Sequence, residues 1–110
     1  MKAENYGLKA KNSFFVGDDD INLNTTKNLL KTRGERYGKF SDVAKITKSL
    51  EKIIEGTSQW GVSTDCQKLA AQMIVQKLAR AFNGDVNYLD NWDDISAYAQ
   101  LVSLELKNGK

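Results

Sequence analysis

Apolar residues recur at helical spacing through most of the chain. Ser41 is a suitable N-cap for a helix that runs to about Glu55, where Gly56 would end it. The apolar positions of this segment are three or four residues apart and predict one buried face: Val43, Ile46, Leu50, Ile53 and Ile54.

The next segment is apolar around much of its circumference. Thr64 and Gln67 have the spacing of a capping box, which predicts a helix that begins there and extends through about Phe82. A helix that is apolar on more than one side is typical of a central element. We therefore expect this helix to lie in the middle of the domain.

Two further helices are predicted at the ends of this pattern. Thr25 or Thr26 can cap a short helix that stops near Gly34, and Asp90 can cap a last helix that follows the turn at Asn83–Asp85. Four helices with short connections predict an all-α fold, a compact bundle of about four helices. Residues 25–110 would form this helical domain, and residues 1–24 an N-terminal arm.

The amino-acid composition excludes several kinds of catalytic and metal-binding site. The 110 residues include no histidine and a single cysteine, Cys66. An internal disulfide, the common zinc sites and every histidine-based triad are therefore excluded. On an apolar stripe without a histidine base nearby, Cys66 is expected to be a core thiol.

Charge and the length of the apolar runs argue against nucleic acid and the membrane as partners. The chain has sixteen Lys and Arg residues and fourteen Asp and Glu residues, so its formal net charge is +2. This charge is a weak signal for nucleic-acid binding. No apolar run is long enough to span a membrane, and the first residues lack a signal-peptide pattern. We therefore expect a cytoplasmic protein.

The arm contains a short apolar and acidic motif. Phe14 and Phe15 precede Asp18, Asp19 and Asp20. The arm is either a partly ordered tail or a partner-binding segment that docks by its aromatic rings. Three contiguous aspartates lack the alternating spacing of a calcium loop, so no metal site is predicted there.

A basic turn follows the first helix. Arg33, Arg36 and Lys39 are interleaved with Tyr37 and Phe40 around a glycine. In one interpretation both aromatic rings insert into the core and the cations are solvated. In the other, the turn contacts a partner protein, a phosphate or a nucleobase.

A second charged cluster is expected where the third and fourth helices meet. Lys77 and Arg80 share a helix face, and the turn brings them toward Asp90, Asp93 and Asp94. They either form ion pairs that fix the angle of the helix hairpin, or bind an anionic ligand with or without Mg²⁺.

Glu51 and Glu55, four residues apart, resemble the paired glutamates of all-α MazG-like nucleotide pyrophosphohydrolases, with Asp90 and Asp94 as the second acidic pair. The order of the helices differs from that family, because the helix that carries Lys77 intervenes. Solvated glutamates beside Lys48 and Lys52 are the alternative.

The stretch 33–104 resembles a family of small, uncharacterised phage and prophage proteins. The shared pattern is Arg-Tyr-Gly-x-Phe, then Lys-x-x-Arg, Asn-Gly-Asp, and Asp-x-Trp-x-Asp-Ile-x-x-Tyr-Ala-x-Leu, here at 36–40, 77–80, 83–85 and 90–101. Ser96 and Ala97 stand where the family tends to have Ala-Gly. The resemblance implies a helical domain from a phage genome and no established activity.

These observations lead to two functional hypotheses. The first is a non-enzymatic phage accessory protein, without cofactor, that binds a host defence or regulatory protein through Phe14, Phe15, Asp18, Asp19, Asp20, Arg33, Arg36 and Lys39. The second is nucleotide binding or a pyrophosphohydrolase activity, with or without Mg²⁺, that uses Arg36, Lys39, Lys77, Arg80, Asp90 and Asp94. Apolar stripes on two helices also make a homodimer plausible.

Overall fold

Helices joined by turns make up the part of the chain that the structure describes. A computed structural model describes residues 23–109, and their side chains from Thr25 onward. Its α-helices are α1 (Leu23–Tyr37), α2 (Phe40–Glu55), α3 (Asp65–Asn83) and α4 (Leu89–Asn108), and a short 3₁₀ helix, Trp60–Val62, follows α2. The all-α prediction is confirmed. The predicted contacts of Phe14, Phe15 and Asp18–Asp20 lie outside the described residues.

The chain divides into two units between Lys31 and Thr32, within α1. In the described part of the first unit, Leu29 and Leu30 are exposed. The second unit contains the end of α1 and all of α2, α3 and α4.

Helix α3 is the central element of the second unit. It packs against α2 and against α4. Three of its buried residues are alanines, Ala70, Ala79 and Ala81, and Val75 is also buried. Small side chains at these positions let neighbouring helix axes approach closely. The prediction of a central third helix is confirmed.

The start of α3 follows from local sequence. The Gln67 backbone N–H donates to Thr64 Oγ1 at 3.0 Å, and the Thr64 backbone N–H donates to Gln67 Oε1 at 2.9 Å. This reciprocal pair is the predicted capping box, and it satisfies donors that the first turn of a helix leaves without intrahelical partners.

The predicted end of α1 at Gly34 is wrong. Gly34 lies inside the helix, which continues to Tyr37. Gly38 ends it with a φ of +80°, and the Gly38 N–H donates to the Gly34 carbonyl at 2.8 Å. Only the second glycine adopts the left-handed conformation that commonly terminates a helix.

The predicted N-caps of α2 and α4 are each displaced. Helix α2 begins at Phe40 with Lys39, rather than Ser41, at the cap position. Helix α4 begins at Leu89 with Tyr88, rather than Asp90, at the cap position. Neither capping side chain makes a cap hydrogen bond. Contacts between the turns, described below, favour these boundaries over the local capping preference.

Two turns interlock at one end of the unit. The Asp85 N–H donates to the Arg36 carbonyl at 2.7 Å, and Asn83 Nδ2 donates to the Tyr37 carbonyl at 3.0 Å. Gly84 lies so close to the preceding turn that an added Cβ would be 2.1 Å from the Arg36 carbonyl oxygen. We call this arrangement of residues 36–39 and 83–85 the clasp.

Several large apolar side chains are exposed, including Ile53, which was predicted to lie on the buried face of its helix. Ile53 of α2, Phe82 of α3 and Leu106 of α4 are each at least 60% exposed. The buried apolar side chains of the described residues are no larger than valine. In the same part of the chain, no helix combines the length and apolar character needed to cross a membrane.

Replacing Gly84 by alanine tests the clasp. We expect Gly84→Ala to lower the free energy of unfolding by about 2 kcal/mol or more, because the new Cβ would overlap backbone atoms of Arg36 and Tyr37. Denaturant unfolding monitored by circular dichroism measures the change.

Gly34→Ala is the matched control. An added Cβ at Gly34 has no neighbour within 4 Å. Alanine there should raise stability by about 0.5–1 kcal/mol, since glycine is unfavourable inside a helix. Equal effects of the two substitutions would contradict the clasp.

Candidate functional site

The clasp brings together the sequence segments that the motif analysis singled out. Residues 36–40, Lys77 and Arg80 of α3, residues 83–85 and the start of α4 all belong to the second unit and meet around the two turns. The nucleotide hypothesis predicted one ligand site that uses Arg36, Lys39, Lys77, Arg80, Asp90 and Asp94. The structure places all of these side chains except that of Lys39 in adjoining interactions.

Tyr88 is at the centre of the first set of contacts. Its hydroxyl accepts a hydrogen bond from Arg36 Nη1 at 2.9 Å and donates one to Asp90 Oδ2 at 2.8 Å. The Arg36 guanidinium also lies 4.6 Å from the Tyr88 ring centroid, a cation–π distance. Arg36 and Asp90 are thereby linked through a phenol.

The environment of Tyr88 disfavours its ionised form. Burial is the largest cause, followed by the hydrogen bond to Asp90 and the negative charge of that carboxylate. Together these raise the pKa of Tyr88 to about 12, although the positive charge of Arg36 acts in the opposite direction.

Arg80 contacts an aromatic ring. Its guanidinium lies 4.6 Å from the centroid of the Tyr37 ring, and Tyr37 meets Tyr88 edge to face at 6.1 Å. The predicted pairing of Arg80 with the aspartates of α4 is therefore wrong. The end of α1 places Tyr37 over Arg80, and a delocalised guanidinium stacks well on such a ring.

Lys77 forms the predicted ion pair between α3 and α4. Its Nζ lies 3.2 Å from Asp94 Oδ2, and its side chain is only 10% exposed. Burial lowers the pKa of Lys77, and the positive charge of Arg80 lowers it further. Asp94 and, less strongly, Asp90 offset these effects.

The charged side chains of the basic turn and the Phe40 ring are exposed to solvent. Arg33, Arg36, Lys39 and Phe40 are all exposed, and Phe40 is the extreme case at 84%. The prediction that Phe40 inserts into the core is wrong. Because α2 begins at Phe40 itself, this residue precedes the buried face of the helix, which starts at Val43. Tyr37, in contrast, is partly buried.

Glu51 and Cys66 also have partners within the second unit. Lys48 Nζ lies 3.3 Å from Glu51 Oε1, as expected for a pair one helical turn apart. Cys66 is half-buried, and burial together with the hydrogen bond and charge of Glu105 raises the pKa of its thiol. The raised pKa disfavours the thiolate, the nucleophilic form of cysteine.

The arrangement has a near-balanced charge. Three cations, Arg36, Lys77 and Arg80, are joined to two carboxylates, Asp90 and Asp94, and to two phenol rings. Within the described residues, no group of three or more His, Cys, Asp or Glu side chains is arranged to hold a metal ion.

Two residues important to this geometry were missed by sequence reasoning. Tyr88 was not singled out as a candidate, and only one of the two interpretations of the basic turn left Phe40 outside the core. The short spacing between the Asn-Gly-Asp turn and Asp90 was a usable signal for Tyr88, because it leaves a phenol beside a carboxylate. No local signal identified Phe40 as exposed.

Comparison of the chain with protein-family models, curated proteins and solved structures found no match. Its function therefore has to be inferred from its own geometry.

Tyr88→Phe tests the phenol link by its pH dependence. The pKa of Tyr88 is about 12 in the folded protein against an ordinary value of 10.0, so the folded state holds this proton more tightly. The resulting stabilisation is complete below pH 10.0 and is lost as the pH rises toward 12. We expect wild-type stability to fall more steeply than that of Tyr88→Phe in this range.

Phenolate absorbance and denaturant unfolding of the two proteins measure this difference. The lowered pKa of Lys77 changes stability with the opposite sign, but Lys77 is present in both proteins, so their difference reports Tyr88. Parallel stability curves in wild type and variant would exclude the link.

Asp94→Asn separates a structural role from a ligand-binding one. Removal of the carboxylate leaves the buried Lys77 cation without its counter-charge, and we expect a loss of about 1–3 kcal/mol in unfolding free energy. Asp93→Asn, at an exposed neighbour, should change it by less than about 0.5 kcal/mol. Unchanged stability of Asp94→Asn with loss of a nucleotide-induced thermal shift would instead favour the nucleotide hypothesis.

Proposed function

We propose that this chain is a non-enzymatic binding protein, encoded by a phage or prophage, that acts in the bacterial cytoplasm by docking on a host protein. The family resemblance supplies the phage context. The observation that carries the binding role is Phe40, which is 84% exposed and follows Lys39 in the chain, with Arg33 and Arg36 exposed near the end of α1.

The surface formed by Arg33, Arg36, Lys39 and Phe40, which we call the basic aromatic surface, has the composition of a protein-binding hot spot. Aromatic residues and arginine are enriched at the energetic centres of interfaces. A large exposed ring flanked by positive charges fits a partner with an apolar cleft bordered by carboxylates. The predicted partner is therefore an acidic surface of a host protein.

The clasp supports this proposal because it holds the turn in one conformation. Asn83 donates to the Tyr37 carbonyl and, at 3.4 Å, to the Lys39 carbonyl, and Asp85 donates to the Arg36 carbonyl. A turn fixed before binding loses less conformational entropy on association than a flexible one. The backbone that carries Lys39 and Phe40 is thus ordered in advance of contact.

The contacts of the other cations favour the binding role over the nucleotide alternative. Lys77 is paired with Asp94, and Arg80 is stacked on Tyr37. A phosphate at this position would have to compete with both contacts. Lys39 and Arg33 have no such competitor among the interactions described above.

Binding assays with matched surface variants test the proposal. Tagged wild-type protein is used to recover partners from a bacterial host lysate, and each partner identified by mass spectrometry is purified for titration calorimetry. We expect Phe40→Ala and Lys39→Glu each to weaken binding of the purified partner by about tenfold or more, corresponding to about 1.4 kcal/mol.

Ile53→Ala and Lys45→Glu are the controls, since both residues are exposed on the same helix away from the clasp. All four proteins should unfold within about 0.5 kcal/mol of wild type. A partner bound equally well by the Phe40 and Lys39 variants would show that the basic aromatic surface is not the docking site.

A further inference from the structure

Helix α4 carries a stripe of exposed side chains that lies outside its contact with α3. Its members recur at alternating spacings of three and four residues, the period of a coiled-coil seam. All are exposed: Leu89, Trp92, Ser96, Ala99, Ser103 and Leu106. We call these residues the α4 stripe.

The stripe is separate from the face that α4 uses within the unit. Helix α4 packs against α3, and its buried or half-buried side chains are Asn91, Asp94, Ile95, Tyr98 and Val102. By the 3.6-residue period, the stripe lies beside this face and extends the apolar arc of the helix.

Contacts at the start of α4 enlarge the apolar surface. Trp92 is 38% exposed and meets Phe82 edge to face at 6.2 Å, while its indole N–H donates to the Val86 carbonyl at 2.8 Å. Phe82 is 70% and Leu89 64% exposed. The indole is thus held in place with apolar surface around it still open to solvent.

The charged residues along one edge of the stripe can pair with the same residues of a second α4 helix. Asp93, Gln100 and Lys107 are exposed and seven residues apart, so they lie in a row beside the stripe. A parallel pair of α4 helices would bring Asp93 against Asp93 and Lys107 against Lys107. An antiparallel pair brings Asp93 of each helix toward Lys107 of the other, with Gln100 near the centre.

The side-chain sizes favour the same orientation. The stripe has large apolar residues at both ends and only Ser96, Ala99 and Ser103 between them. In an antiparallel pair the small residues meet in the middle and let the helices approach closely, while the large residues at opposite ends pack on each other.

We propose that two copies of this chain associate through antiparallel packing of their α4 stripes about a two-fold axis. Such an interface is isologous, so one surface that is complementary to itself is sufficient to form it. The occupant of the stripe is therefore a second copy of the chain. The dimer surface is distinct from the basic aromatic surface, and the two proposals fail or succeed independently.

Sedimentation equilibrium of the full chain over a range of concentrations tests the proposal. We expect a monomer–dimer equilibrium that Ala99→Glu weakens about a hundredfold or more, because it brings like charges together at the centre of the interface. Ala97→Glu places the same charge at an exposed position on another side of the same helix and should leave the equilibrium unchanged.

Charge exchange tests the orientation. Asp93→Lys and Lys107→Asp should each weaken the dimer, and the double variant should restore it. Circular dichroism confirms that every variant is folded. A chain that is monomeric at all concentrations, a dimer that tolerates Ala99→Glu, or a double variant that fails to recover would each overturn the proposal.

Discussion

The arrangement of the second unit depends on a close backbone approach between the turn after α1 and the turn after α3. At Gly84 the two backbone segments are so close that no side chain fits between them, and the Asp85 N–H donates a hydrogen bond to the Arg36 carbonyl. This contact fixes where α1 ends and where α2 and α4 begin. It also brings Tyr37 over Arg80 and Arg36 onto Tyr88.

The clasp separates paired charges from exposed ones. On its inner side, Lys77 is buried with Asp94 as its counter-ion, and Arg36 and Arg80 lie against phenol rings. On its outer side, Lys39 and Phe40 remain in solvent on a backbone that is already ordered. Basic and aromatic residues that are adjacent in sequence thus separate into an inner set that stabilises the clasp and an outer set that is open to solvent, where we propose that a partner binds.

Sequence reasoning succeeded where the determinants were local. The capping box at Thr64 and the apolar period of α3 predicted that helix nearly to the residue. It failed where a distant turn decided the outcome: Gly34 and Gly38 are equally good helix stops by composition, and only the contact with Asn83 distinguishes them. Phe40 and Arg80 were misplaced for the same reason, because a residue's neighbours across the clasp are not encoded in its own helical period. Most of the fold and the ion pair of Lys77 could be predicted, but the contacts of Arg36 and Arg80 with the tyrosine rings could not.

The alanines of α3 have a consequence for how this protein can vary. Ala70 and Ala81 lie on the Lys77 side of the helix and Ala79 lies with Val75 on another, so α3 has small residues toward both neighbours. A larger side chain at any of these positions would push a neighbouring helix outward, at a cost of about 1–3 kcal/mol. Sequence change is therefore constrained along the middle helix and is more freely accommodated on the exposed faces of α2 and α4. Surface substitutions can therefore accumulate on those outer helices while the spacing set by α3 is retained.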